Sequence, residues 1–112
     1  MKTETPIQRD IIKTINASGL ATVWRCPSGE VRVRRGYLHM APKGTPDIVG
    51  YTRDGKFVGI EVKVPGNRTD KARAESQLAA RVAIIAAGGI AAEVQSPQEA
   101  IDVLRGIVRS GI

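Results

Sequence analysis

Isoleucines at positions 7, 11, 12 and 15 recur at the spacing of one helical face until Ser18-Gly19 breaks the pattern, so the chain is expected to open with a helix. Leu20 to Cys26 reads as a strand. From Pro27 to Thr45 the periodicity dissolves into Ser28-Gly29, a basic run and Pro42-Lys43-Gly44, with at most a short strand near Val31 to Arg34; this is the candidate substrate-facing loop. Residues 46 to 52 and 57 to 64 are short and rich in β-branched and aromatic side chains, and Arg53-Asp54-Gly55-Lys56 between them is a turn signal, which predicts an antiparallel hairpin. A helix from about Asp70 to Ala87 follows, with Leu78, Val82, Ile85 and Ala86 as its expected buried stripe and Gly88-Gly89 as its stop. Ile90 to Gln95 reads as the last strand. Ser96-Pro97 then caps a closing helix that carries Ala100, Ile101, Val103, Leu104, Ile107 and Val108.

That alternation, αββ(β)αβα, means an α/β domain with a central mixed sheet flanked by helices. At 112 residues there is room for one domain spanning 1–112 and one modest core. No apolar run reaches membrane-spanning length and Met1-Lys2-Thr3-Glu4 lacks a signal-peptide core, so a soluble, cytoplasmic protein is expected. Cys26 and His39 are the only cysteine and histidine, which leaves no disulfide framework and no cysteine-histidine zinc site within one chain.

The chemistry concentrates on the predicted hairpin. Side chains alternate along a strand, so Glu61 and Lys63 point the same way. Whether Asp47 joins them depends on register: a two-residue loop at Asp54-Gly55 pairs position 47 with 62, whereas a three- or five-residue loop, or a bulge, pairs it with 61. Two carboxylates held close on rigid strands repel each other unless a cation sits between them, and Mg²⁺ or Mn²⁺ suits such oxygen ligands, with the Val62 carbonyl a further donor. Such an ion polarises a scissile phosphate, and Lys63 would orient water or stabilise the developing charge. On residue types alone an ordinary reading stands equally well: Asp47 a turn residue after proline, Glu61 and Lys63 an exposed ion pair.

Gly44-x-Pro46-Asp47, the strand ending Ile60-Glu61-Val62-Lys63 and Gln77 in the next helix together resemble the PD-(D/E)xK nuclease superfamily, and more closely its virus-type replication-repair nuclease (VRR-NUC) family. The resemblance implies a restriction-endonuclease-like fold, Asp47 and Glu61 as metal ligands, Lys63 as the catalytic lysine and Gln77 as a supporting active-site residue. Without it, Gln77 reads as a half-exposed polar residue on a helix. Related junction-resolving nucleases also place a glutamate on the first helix. Here that is Glu4, with Gln8 one turn on as the alternative, although Thr5-Pro6-Ile7-Gln8 reads as a capping box that assigns Gln8 to the helix end.

A formal charge of +6 favours a polyanionic partner, with nucleic acid the default. Arg25, Arg32, Arg34, Arg35 and Lys43 precede Asp47, and Arg68, Lys71 and Arg73 follow Glu61, so basic residues flank the candidate site and are expected to hold DNA phosphates. Tyr37 is the one expected exposed stacking residue. Two strands of a duplex call for two sites, which a homodimer supplies. By resemblance, the expected activity is a Mg²⁺- or Mn²⁺-dependent endonuclease acting on branched DNA such as a four-way (Holliday) junction, in a phage setting and with no nucleotide cofactor. A general or nicking nuclease of the same fold, and a DNA-binding module that does not cut, are the competing expectations.

Overall fold

Thr5 opens the first helix, α1 (Pro6–Ser18), by accepting the Gln8 N–H while the Gln8 side chain returns to the Thr5 N–H, and Gly19 closes it in the left-handed region at φ 75°. In the computed structural model, which describes residues 4–27, 30–33, 36–39, 42–66 and 69–107, the remaining elements are β1 (Ala21–Arg25), β2 (Glu30–Val33), β3 (Gly36–His39), β4 (Ile48–Thr52), β5 (Phe57–Val62), α2 (Lys71–Ala86), β6 (Ile90–Val94) and α3 (Pro97–Leu104). The predicted order αββ(β)αβα therefore undercounts the strands. The segment read as a loop holds an antiparallel pair, β2 and β3, which forms its own two-stranded sheet.

The main sheet runs β1-β4-β5-β6, antiparallel except for the parallel β5–β6 pair joined through α2. One face is apolar apart from Thr52 at the hairpin end. Ala21, Val23, Ile48, Val58, Ile60, Ala92 and Val94 meet Ile11 and Ile15 of α1 and Ala100, Ile101 and Val103 of α3. Val23 sits on the outer edge of β1, where the Asn16 amide takes both its N–H (2.8 Å) and its carbonyl (3.0 Å) and so satisfies the exposed edge.

The β4–β5 register is set by the turn. The Thr52 N–H donates to the Lys56 carbonyl at 2.9 Å and the Gly55 N–H to the Thr52 carbonyl at 3.1 Å, enclosing the three residues Arg53, Asp54 and Gly55. Gly55 takes φ 88°, the left-handed residue that a three-residue hairpin requires. Ile48 then pairs with Ile60 and Tyr51 with Phe57, and continuing by one residue sets Asp47 opposite Glu61. This is the odd-numbered register that the chemical reading demanded.

Two expectations about the helices are corrected. α2 does not bury Leu78, Val82, Ile85 and Ala86: Leu78 and Val82 are 37% and 44% exposed, Ala86 is exposed and Ile85 is half-buried, while Gln77 and Arg81 are buried. The helix is rolled so that its polar stripe faces the sheet, because hydrogen bonds to groups on β5 outweigh the modest burial its small side chains offer. α3 ends at Leu104; Ile107 lies beyond it and is 68% exposed, and Val108 falls outside the described residues.

Candidate active site

The second face of the sheet carries the polar residues. Pro46 is buried and leads into β4, which leaves Asp47 half-buried at the strand's entrance. There its Oδ2 accepts the Val62 N–H at 3.0 Å and its backbone carbonyl accepts the Cys26 N–H at 2.7 Å, so Asp47 ties β1 and β5 together at one end of the sheet. Just upstream, Gly44 has φ 85° and rests against the Ser76 backbone of α2, where a Cβ would strike the Ser76 carbonyl oxygen. The segment bearing Asp47 is thereby pinned to α2.

Glu61 is only 2% exposed. Its Oε1 accepts the Gln77 Nε2–H at 3.0 Å, and the Gln77 Oε1 accepts Lys63 Nζ–H at 2.8 Å. An ammonium only donates, so Gln77 must turn its oxygen to Lys63 and its NH₂ to Glu61. A second acceptor, Thr69 Oγ1 at 2.7 Å, fixes the lysine further. Burial first, then the charge of Asp47 and a hydrogen bond shared with it, push the Glu61 carboxyl up to about 8, against the opposing pull of Lys63 and Arg73. Near neutrality the Glu61 carboxyl therefore retains its proton. The Cys26 thiol is half-buried and is raised by burial and by the negative charge of Asp47.

No family model and no curated protein matches this chain.

Asp47, Glu61, Lys63 and Gln77 are thus brought together, and the exposed ion pair expected on residue types alone is not what forms. Gln77, which reads from sequence as half-exposed, is the buried bridge between base and acid. Glu4 does not join them in a metal-sized cluster: its carboxylate pairs with Arg9 at 3.1 Å, while Gln8 serves the α1 cap. Among the expected phosphate contacts, Lys43 and Lys71 are exposed and Arg25 is half-buried. Arg32 lies on β2, where only the backbone is described, and Arg34, Arg35 and Arg68 lie outside the described residues. The side chain of Tyr37 is likewise not described; the half-exposed aromatic rings are Trp24 and Tyr51, edge to face at 6.1 Å, and Phe57. Sequence reasoning missed Thr69 and Arg81 and left Arg73 among the general basic flank. Arg73, Gln77 and Arg81 stand at i, i+4 and i+8, a polar stripe legible in the sequence but overlooked when only apolar spacing was counted.

Among the described residues no third Asp, Glu, His or Cys joins the acid pair in a cluster suited to a metal. The donors are the two carboxyl groups and the Val62 carbonyl. In an extended strand a residue's carbonyl points to the same side as its N–H, and the Val62 N–H points at Asp47. An all-oxygen set with few protein ligands fits a hard cation that retains water, as Mg²⁺ does, and suits zinc or copper poorly.

Proposed function

We propose that this chain is a metal-dependent endonuclease that hydrolyses DNA phosphodiesters, built as a PD-(D/E)xK domain of the virus-type replication-repair kind. The observation that carries the reading is the unbroken line Asp47, Glu61, Gln77, Lys63, in which a buried acid pair and an ammonium group lie on either side of one amide. A buried Glu61 that retains its proton beside Asp47 is poised to exchange that proton for a cation.

Asp47, Glu61 and the Val62 carbonyl would hold Mg²⁺ or Mn²⁺, which when bound supplies Lewis-acid polarisation of the phosphate and a more acidic water. The protein's own contribution is orientation. Gln77 fixes the direction of the Glu61 carboxyl and anchors Lys63, whose remaining N–H is free to donate to a phosphate oxygen as negative charge develops. Thr69 keeps the ammonium from folding back onto the acid pair.

DNA as substrate is supported by the +6 charge and by exposed Lys43 and Lys71 on the segments flanking the site. Preference for four-way junctions, and action as a homodimer, rest on the resemblance alone. Labelled four-way junction, duplex and single strand incubated with Mg²⁺, Mn²⁺ or EDTA test the reading. Metal-dependent cutting of the junction alone supports resolution, and cutting of all three substrates supports a general nuclease. Retention without products in any condition leaves a binding module and refutes the enzyme.

A further inference from the structure

Among the described residues Arg81 is the side chain with buried polar atoms left unpartnered. It lies one turn beyond Gln77 on α2, is 8% exposed, and touches a counter-charge only through Nη2, 3.5 Å from Glu93 Oε2 on β6. Its Nε and Nη1 are buried and have no hydrogen-bond partner. A guanidinium offers planar pairs of N–H groups that match oxyanions two at a time, so a desolvated arginine with Nε and Nη1 unused and Nη2 held by one long contact is poorly suited to a purely structural role. A leucine or methionine would fill the same space without that penalty.

What adjoins it gives the idle donors a use. A polar pocket of about 330 Å³ opens beside Lys63 and Gln77, its lining including Thr69, Arg81, Glu93 and Gln95. Two cations face one carboxylate there, and Lys63 belongs to both the pocket and the catalytic line. The pocket thus continues from the reacting centre toward a buried cation with unspent donors.

We propose that this pocket is a phosphate subsite, in which Arg81 grips a backbone phosphodiester next to the one being cut, while Lys63, at the wall the two sites share, serves the scissile one. Rotation about the terminal torsions of Arg81 exchanges its single long contact with Glu93 for a bidentate contact through Nε and Nη2. Glu93 holds the guanidinium at the pocket wall until phosphate competes for it. The nucleic-acid substrate rests on the nuclease reading above; the phosphate site itself does not.

The direct probe is the Arg81 Nε–Hε resonance of the ¹⁵N-labelled full chain in EDTA, titrated with inorganic phosphate and then with the dinucleotide dTpdT. A saturable shift with both supports the subsite, and the absence of a shift with either overturns it. Arg81→Leu should retain or raise the melting temperature while weakening duplex binding in EDTA about tenfold or more. It should also reduce the slope of log K against log salt by about 0.9, the value of one phosphate contact. Arg81→Lys should keep most of the slope. A large fall in melting temperature for both variants, with the salt slope unchanged, would make Arg81 structural and end the proposal. The two readings fail separately: a wild type that cuts no DNA but shifts Arg81 with phosphate keeps the subsite and loses the nuclease. One that cuts DNA with neither the shift nor the slope change keeps the nuclease and loses the subsite.

Discussion

Glu61→Gln is the most demanding perturbation of the acid pair, because glutamine keeps an acceptor for Gln77 and gains a donor for Asp47 while removing the titration. In the metal-free wild type the Glu61 carboxyl titrates near 8, against 4.5 for an unburied glutamate. Between those values the folded chain holds a proton that the unfolded chain has released, so rising pH favours unfolding. The contribution is fully present below about 4.5, shrinks through the interval and is gone once the pH passes about 8. Inside that window the slope approaches about 1.4 kcal/mol per pH unit. Urea unfolding in EDTA from pH 5 to 9, run on wild type and Glu61→Gln, isolates it as the difference between two curves. Glu61→Gln should gain steadily on the wild type up to pH 8 and then hold its lead. Adding Mn²⁺ should restore the wild type most strongly at high pH and leave the variant nearly unmoved. Below pH 8 each bound ion should release about one proton, measurable by titration calorimetry in buffers of different ionisation enthalpy. Parallel curves for the two proteins between pH 5 and 8 would refute the buried, proton-retaining Glu61.

Three further outcomes follow from the same geometry. Lys63→Ala should abolish turnover on any DNA that the wild type cuts while leaving Mn²⁺ affinity within a few-fold, since the lysine reaches Gln77 and Thr69 and not the ligand oxygens; calorimetry beside a cleavage assay reads both. Gly44→Ala should destabilise by about 2 kcal/mol or more, combining a left-handed φ with a clash into the Ser76 carbonyl, whereas Gly55→Ala, whose Cβ meets open space, should cost only the strain of about 1–2 kcal/mol; thermal melts of the two rank them. Thr52→Val, which removes the hydroxyl bracing the three-residue turn, combined with Asp54→Asn, which favours a two-residue Asn-Gly turn pairing Arg53 with Lys56, should set Asp47 opposite Val62, eliminating metal binding by calorimetry while the circular dichroism spectrum keeps its helical content.

The acid pair and its lysine were legible because hairpin chemistry and strand alternation are local rules. The register was not, since Arg53-Asp54-Gly55 is compatible with either loop length. What decides it is the Thr52 hydroxyl, which donates to Asp54 at 2.5 Å and accepts the Lys56 N–H at 3.0 Å, bracing the turn with Gly55 at its left-handed corner. Of the β2–β3 pair, the sequence offers the short strand near Val31 to Arg34, but its partner Gly36–His39 has only four residues and no apolar alternation to mark it. The roll of α2 escaped for a deeper reason. A count of apolar spacing assumes that burial chooses the face, and here hydrogen bonds choose it, so Leu78 and Val82 turn outward and Gln77 and Arg81 turn in.

The sheet thereby divides its labour between its faces. Against α1 and α3 lie aliphatic side chains, with Ile11, Ile15, Ile48, Val58 and Ile60 fully buried; this face supplies the stability of a small domain. Against α2 lie Asp47, Glu61, Lys63 and Glu93, groups that work against folding unless each is paired. Gln77 reconciles the two demands. Its amide donates to an acid and accepts from a base at once, so it satisfies both without adding charge. That requirement, more than any apolar contact, fixes the rotation of the helix about its axis. It follows that trimming the aliphatic face should lower the melting temperature without moving the Glu61 titration. Replacing Gln77 by an apolar residue of similar size should do the reverse, freeing Lys63 and Glu61 to meet directly and collapsing the separation on which the chemistry depends.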